Sequence, residues 1–131
     1  MLLVPEGHPW AVSARPVSLT DLGSETLIWR EEGSGIREHV LQALQSQGIY
    51  PDIRYELSGL AAIRDAVRCG LGISFVSELA SAGQPAGLRT LPTVPPILHT
   101  LSVLYRQGAS QSATAFLELL GAVSENGKNH I

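Results

Sequence analysis

The sequence predicts an α/β fold with a mostly parallel sheet and helices on both faces. Two observations predict it. Short apolar runs at Thr26–Arg30, Asp52–Leu57 and Gly72–Val76 alternate with two stretches of helical periodicity, the strand–helix–strand order from which parallel sheets are built. Each passage from a strand into the next helix also carries a Ser-Gly pair, Ser34-Gly35 and Ser58-Gly59. In a parallel sheet both turns lie at carboxyl ends of strands, where free backbone N–H groups and helix dipoles favour small anions.

The elements follow in order. Leu2–Val4 reads as a strand with no preceding turn, so the chain looks cut from something longer. Gly7 to Arg15 reads as a loop, and Ser18–Gly23 as a single helical turn closed by glycine. Thr26–Arg30 is a short buried strand. From Gly35 to Gln47, Ile36, Val40, Leu41 and Leu44 share one face of a helix that Gly48 ends. Asp52–Leu57 alternates Ile53, Tyr55 and Leu57 with Asp52, Arg54 and Glu56, which suits an edge strand with one wetter face. Leu60, Ile63 and Val67 mark a second helix, closed by Cys69-Gly70, and Gly72–Val76 returns as a buried strand. Ser77–Ala82 is a short helix before the breaker-rich stretch from Gly83 to Gly87, and Leu88–Leu91 a short strand before Pro92, Pro95 and Pro96. Leu98–Tyr105 reads as a long strand. Ser112–Val123 reads as a helix with Ala113, Phe116, Leu117, Leu120 and Val123 on its apolar face, and Ser124–Ile131 as a frayed tail.

Composition narrows the function. A chain of 131 residues with 44% hydrophobic and 16% charged residues has the size and make-up of about one globular domain. No apolar run approaches the roughly 18 residues that cross a bilayer. Met1-Leu2-Leu3-Val4 is too short for a signal peptide, so a cytoplasmic protein is expected. One cysteine excludes an internal disulfide, in keeping with a reducing compartment. A net charge of −3 with scattered basic residues gives no footprint for a nucleic-acid backbone, so this chain alone is not expected to bind DNA. His8, His39, His99 and His130 share no metal-ligand spacing with one another or with Cys69, and no metal or cofactor is expected. An enzyme is not expected either: there is no Gly-x-Ser-x-Gly elbow, no phosphate loop and no histidine beside a plausible nucleophile.

The two turns are the candidate site. Ser34 and Ser58 each offer a hydroxyl beside free N–H groups, and Gly35 and Gly59 have no Cβ to block a ligand. A carboxylate or phosphate suits such a place. Arg30 or Arg37 could add a bidentate contact, with Glu31 and Glu32 partly cancelling the charge. Serine and glycine also cap helices for structural reasons alone, and capping is compatible with ligand contact. Trp29 reads as a sheet-packing residue outside the site. Arg64, Asp65 and Arg68 read as a solvated helix face, and Cys69 as a packing residue at a helix end.

The order of segments resembles the effector-binding domain of the LysR-type transcriptional regulators. Leu3-Val4-Pro5-Glu6-Gly7-His8-Pro9 is similar to the strand entering that family's second half-domain, and Val17-Ser18-Leu19-Thr20-Asp21-Leu22 to its short helix. Arg30-Glu31-Glu32-Gly33-Ser34-Gly35-Ile36-Arg37 resembles its Arg-Glu-Pro-Gly-Ser-Gly-Thr-Arg loop, with Ile36 in place of the common Thr, which removes a hydroxyl from the cleft. Ala61 to Ile73 resembles the segment ending in Gly-Leu-Gly-Ile; Leu101–Arg106 and Ala113–Leu120 resemble the return strand and closing helix.

The resemblance implies a three-layer half-domain of a type 2 periplasmic-binding-protein-like fold. Residues 10–95 would form the second effector-binding half-domain, 1–9 and 96–123 the crossing strands and closing helix, and 124–131 the tail. It implies a ligand set of Arg30, Glu31, Ser34, Gly35, Ile36, Ser58, Gly59 and Leu60, and an effector that is a small anionic metabolite. DNA would be reached only through an N-terminal domain lying before Met1. A homodimer or higher homo-oligomer is implied too, with the helix from Gly35 to Gln47 as a candidate face. The alternatives are a solute-binding component of a transporter or a free-standing ligand-binding module, and less readily a small hydrolase.

Overall fold

The structure is a computed structural model; it describes residues 1–81, 86–100, 103–104 and 110–121. The chain divides into two compact units, Met1–His99 and Thr100–Ile131.

In the first unit a five-stranded sheet has the order β4-β3-β5-β1-β6. Its strands are β1 (Leu2–Pro5), β3 (Leu27–Arg30), β4 (Tyr55–Leu57), β5 (Ile73–Phe75) and β6 (Leu88–Leu91), while β2 (Val17–Ser18) pairs with β7 (Thr93–Val94) in a separate ribbon. Strand β3 is parallel to both β4 and β5, and β2 is parallel to β7; β1 is antiparallel to β5 and β6. Helices α2 (Gly35–Ser46) and α3 (Leu60–Arg68) are the two crossovers, carrying the chain from β3 out to edge strand β4 and back across to β5. The expected edge position of the second strand is therefore realised.

Alternating side chains feed two cores, one per sheet face. Leu2, Leu27, Trp29, Ile73 and Phe75 pack with Val40 and Leu44 of α2. Leu3 and Ile28 pack with Ile63 and Val67 of α3. Burial on both faces explains why β1 and β3 read as unbroken apolar runs. Ser74 is the polar break in β5: it is 1% exposed, and its Oγ donates to the Ile28 carbonyl at 2.6 Å, tying β5 to β3.

The structure corrects several local expectations. The loop expected from Gly7 to Arg15 contains helix α1 (Pro9–Ser13), capped by His8, whose Nδ1 accepts the Trp10 N–H at 3.3 Å, with proline at the start. That capping pattern is a helix signal that the prolines obscured. The turn at Ser18 is a six-residue 3-10 helix, Leu19–Ser24. The strand expected from Asp52 begins only at Tyr55, which pairs with Ile28 near the start of β3, so residues before it have little partner strand beside them. Of the helix expected at Ser77–Ala82, α4 covers Glu78–Ser81, and Ala82 lies outside the described residues. The ribbon strands β2 and β7, two residues each, are too short for periodicity to reveal. Arg64 and Arg68 are not merely solvated: Arg64 donates to the Ala80 carbonyl and Arg68 to that of Ala86. Cys69 is exposed at the end of α3 and does not pack.

In the second unit α5 spans Gln111–Gly121, with Ser110 accepting the Ala113 N–H on Oγ and the Thr114 N–H on its carbonyl. Of the strand expected at Leu98–Tyr105, residues 98–100 and 103–104 carry no strand pairing, and the remainder lies outside the described residues. Val123 and the expected tail, 124–131, also lie outside them.

Candidate functional site

Strands β3 and β4 lie side by side and parallel, with Arg30 opposite Leu57, so the turns that leave them emerge together at one end of the sheet. Ser34 is the N-cap residue of α2 and Gly59 that of α3; neither makes a side-chain cap bond. Ser34 has the extended backbone of an N-cap, yet its Oγ leaves the helix N–H groups unclaimed. Gly59 has φ +83°, a conformation that a side chain rarely tolerates. Ser58 and Gly59 are exposed, whereas Ser34 is partly buried.

The eight expected ligand residues separate into three kinds. Ser34, Gly35, Ser58 and Gly59 form the two turns. Ile36 packs against the core on the α2 face and Leu60 against the core on the α3 face, so these two anchor the turns from below. Arg30 and Glu31 form a bidentate ion pair: Arg30 Nε donates to Glu31 Oε2 at 2.9 Å and Nη2 to Oε1 at 2.7 Å.

That fork sets the local electrostatics. The hydrogen bonds from Arg30, with smaller help from the residue's own N–H and that of Gly59, hold the Glu31 carboxyl down at about 2, and the same pairing raises the Arg30 guanidinium. Arg37, in the first turn of α2, reaches the opposite way. Its Nη1 donates to Glu56 at 2.5 Å and to the Arg30 carbonyl at 3.1 Å, joining α2 to β3 and β4. Both guanidinium groups beside the turns are thus already matched by a carboxylate of this chain.

Sequence reasoning missed His99. Its ring meets that of His39 edge-on, with centroids 4.9 Å apart, and its Nε2 lies 3.1 Å from where a Cβ on Gly35 would stand. The His39 Nδ1 is 2.6 Å from the Gly35 carbonyl oxygen. Sixty residues separate the two histidines in sequence, and no local pattern links them. Among the described residues no group of three or more His, Cys, Asp and Glu could hold a metal. Trp29 is buried as expected, but its Nε1 is the one buried side-chain N or O atom without a hydrogen-bond partner among the described residues.

A cavity of about 380 Å³ lies at the opposite end of β3, between the 3-10 helix and the α2–β4 connection, lined by Glu25, Thr26, Tyr50, Asp52 and Arg54 among others. No expected site residue lines it. The turns remain the better candidate, because parallel strands expose free helix N–H groups only at their carboxyl ends. Among the described residues no helix is long and apolar enough to cross a membrane.

Known proteins share this fold. The family model for the LysR substrate binding domain matches residues 1–125. The HTH-type transcriptional regulator Rv2282c of Mycobacterium tuberculosis is 34% identical over 132 residues, covering 95% of this chain and 42% of the relative. The RuBisCO operon transcriptional regulator of Allochromatium vinosum is 32% identical over 136 residues, covering 99% of this chain and 44% of that protein. Among solved structures, the Synechocystis PCC6803 CcmR regulatory domain in complex with 2-PG superposes with a TM-score of 0.75 at 27% identity, covering 95% of this chain and 62% of that one. The reduced form of OxyR gives 0.71 at 27% identity, covering 93% and 57%. The chain spans about two fifths of the length of these curated relatives. A family of transcriptional regulators, and not of enzymes, is the common element. With the family model running over nearly its whole length and the fold matching regulatory domains, this chain belongs to the LysR-type transcriptional regulators, as an effector-binding domain.

Proposed function

We propose that this chain senses a small anionic metabolite at the paired turns Arg30–Ile36 and Ser58–Leu60 and passes the signal to a DNA-binding domain outside the sequence. The observation that carries this reading is the placement of two uncapped helix N-termini, with Ser34 and Gly59, at the carboxyl ends of adjacent parallel strands. Beyond the Gly59 N–H, which the Glu31 carboxyl takes, about three backbone N–H groups at each helix start then have no intrahelical acceptor. A carboxylate or phosphate is the ligand such a region selects. The 2-PG complex of the CcmR domain, 27% identical, supports a small effector of this class.

Signal transmission requires that the ligand favour one domain arrangement over another, and the coupling is no larger than that difference in affinity. The regulator works in the cytoplasm, where DNA is, and as a homodimer or higher homo-oligomer. The test is a calorimetric titration of the chain with a panel of small carboxylates and phosphates that includes 2-PG, repeated with Ser34→Ala and Ser58→Ala. Binding by the parent chain that both substitutions weaken supports the site; binding that neither substitution changes overturns it.

A further inference from the structure

The residue that holds Arg30 at these turns is Glu31. It is the neighbour of Arg30 in sequence, yet its carboxylate folds back to engage the guanidinium through two parallel bonds of 2.7 and 2.9 Å. This is the fork-to-fork geometry with which arginine takes a carboxylate or phosphate from a ligand. Arg30 follows Ile28 by two residues and shares its sheet face, the face covered by α3. The fork therefore lies on the side of the second turn, where Gly59 begins α3 without a side-chain cap.

We propose, building on the effector site described above, that Glu31 is a tethered carboxylate occupying the place on Arg30 that an effector's anionic group takes, so that binding proceeds by exchange of one carboxylate for another.

Four consequences follow from the chemistry. The exchange keeps Arg30 paired before and after, so it leaves no bare buried charge; only Glu31, 38% exposed at its side chain, is released, and water solvates it readily. A monodentate or neutral ligand replaces two charge-assisted bonds poorly, so the fork screens out amides and alcohols. The second cation, Arg37, cannot stand in for Arg30, because its Nη1 is committed to Glu56 and to the Arg30 carbonyl. Effector affinity is lower than the turns and a free Arg30 would give, by the cost of displacing Glu31.

The test is an NMR titration of the 131-residue chain with inorganic phosphate and with benzoate, following the backbone amides of Ser34, Gly35 and Gly59 and the Nε–H of Arg30. It is run on the parent and on Glu31→Gln, Glu32→Gln and Arg30→Gln. Glu32 is the exposed neighbour in the same loop, so its substitution removes the same charge without touching the fork. The exchange predicts about tenfold tighter binding in Glu31→Gln, little change in Glu32→Gln and loss in Arg30→Gln. It also predicts that saturating ligand raises the titration midpoint of the Glu31 carboxyl in the parent chain. Equal tightening by both Gln substitutions in the loop, or binding at the turns that Glu31→Gln leaves unchanged, overturns the exchange while leaving the effector site intact. Absence of shifts at the turns in all four proteins overturns the site and the exchange together.

Discussion

Arg37 Nη1 stands 2.5 Å from Glu56 Oε2 across nineteen residues of sequence, and the same nitrogen donates to the Arg30 carbonyl at 3.1 Å. One guanidinium in the first turn of α2 thereby clasps the ends of β3 and β4. It ties the start of the helix that follows the first turn to the strand that leads into the second.

Replacing Arg37 tests it. The Arg37 side chain is 11% exposed and that of Glu56 45%, so the pair is only partly screened by water. Arg37→Ala is expected to cost about 1–2 kcal/mol, since it leaves the Arg30 carbonyl unpaired, and Glu56→Gln about 1 kcal/mol or less. Urea denaturation of the two variants reads both values. Equal losses would mean that the carbonyl contact contributes nothing.

Ser34 separates capping from ligand contact. It holds the N-cap position but makes no side-chain cap bond. Ser34→Ala is therefore expected to change stability by less than about 0.5 kcal/mol, against the ~1 kcal/mol typical of a working cap. The thermal midpoint of the free chain should stay put while the ligand-induced shift shrinks. A large loss in the ligand-free chain would return Ser34 to a purely structural role.

Gly72 is required for close approach. A Cβ there would stand 2.3 Å from the Thr26 carbonyl oxygen, the same oxygen that accepts the Ile73 N–H at 2.9 Å. The clash is with backbone, so β5 must shift away from β3. Gly72→Ala is expected to destabilise by about 2 kcal/mol. Gly7→Ala, where nothing lies within 4 Å of the new methyl, should stay within about 0.5 kcal/mol. Chemical denaturation of the pair decides the point.

Acid titration should expose the fork. The Glu31 carboxyl is held at about 2, below its ordinary 4.5. Its contribution to stability is fully present above about 4.5 and is lost as the pH falls through about 2. The stability curves of the parent and Glu31→Gln should therefore differ at neutral pH and converge between those two values. The carboxyl carbon of Glu31, followed by NMR, should titrate near the lower one. A midpoint in the usual carboxylate range would show that the fork does not persist in solution.

Much of this was legible in the chain itself. Leu27–Arg30, Gly35–Ser46, Leu60–Arg68, Ile73–Phe75 and Leu88–Leu91 stand close to where periodicity and glycine placed them, because buried strands must be apolar and a helix must present one apolar stripe to its sheet. The Ser-Gly turns were visible for the same local reason. Helix α1 was hidden because its signal, a capping histidine before proline, resembles a loop.

Sequence alone determined the main strands and the two crossover helices, their alternation and the residues of both turns, since these follow from side-chain polarity within a few neighbours. Tertiary structure decided the rest. It placed β3 at the centre of the parallel unit with both turns at one end, matched Arg30 with Glu31 and Arg37 with Glu56, and brought His99 against Gly35. Those are contacts between groups whose charges and shapes could be satisfied in several ways along a free chain. Packing of the two helices on opposite sheet faces brings these particular groups together.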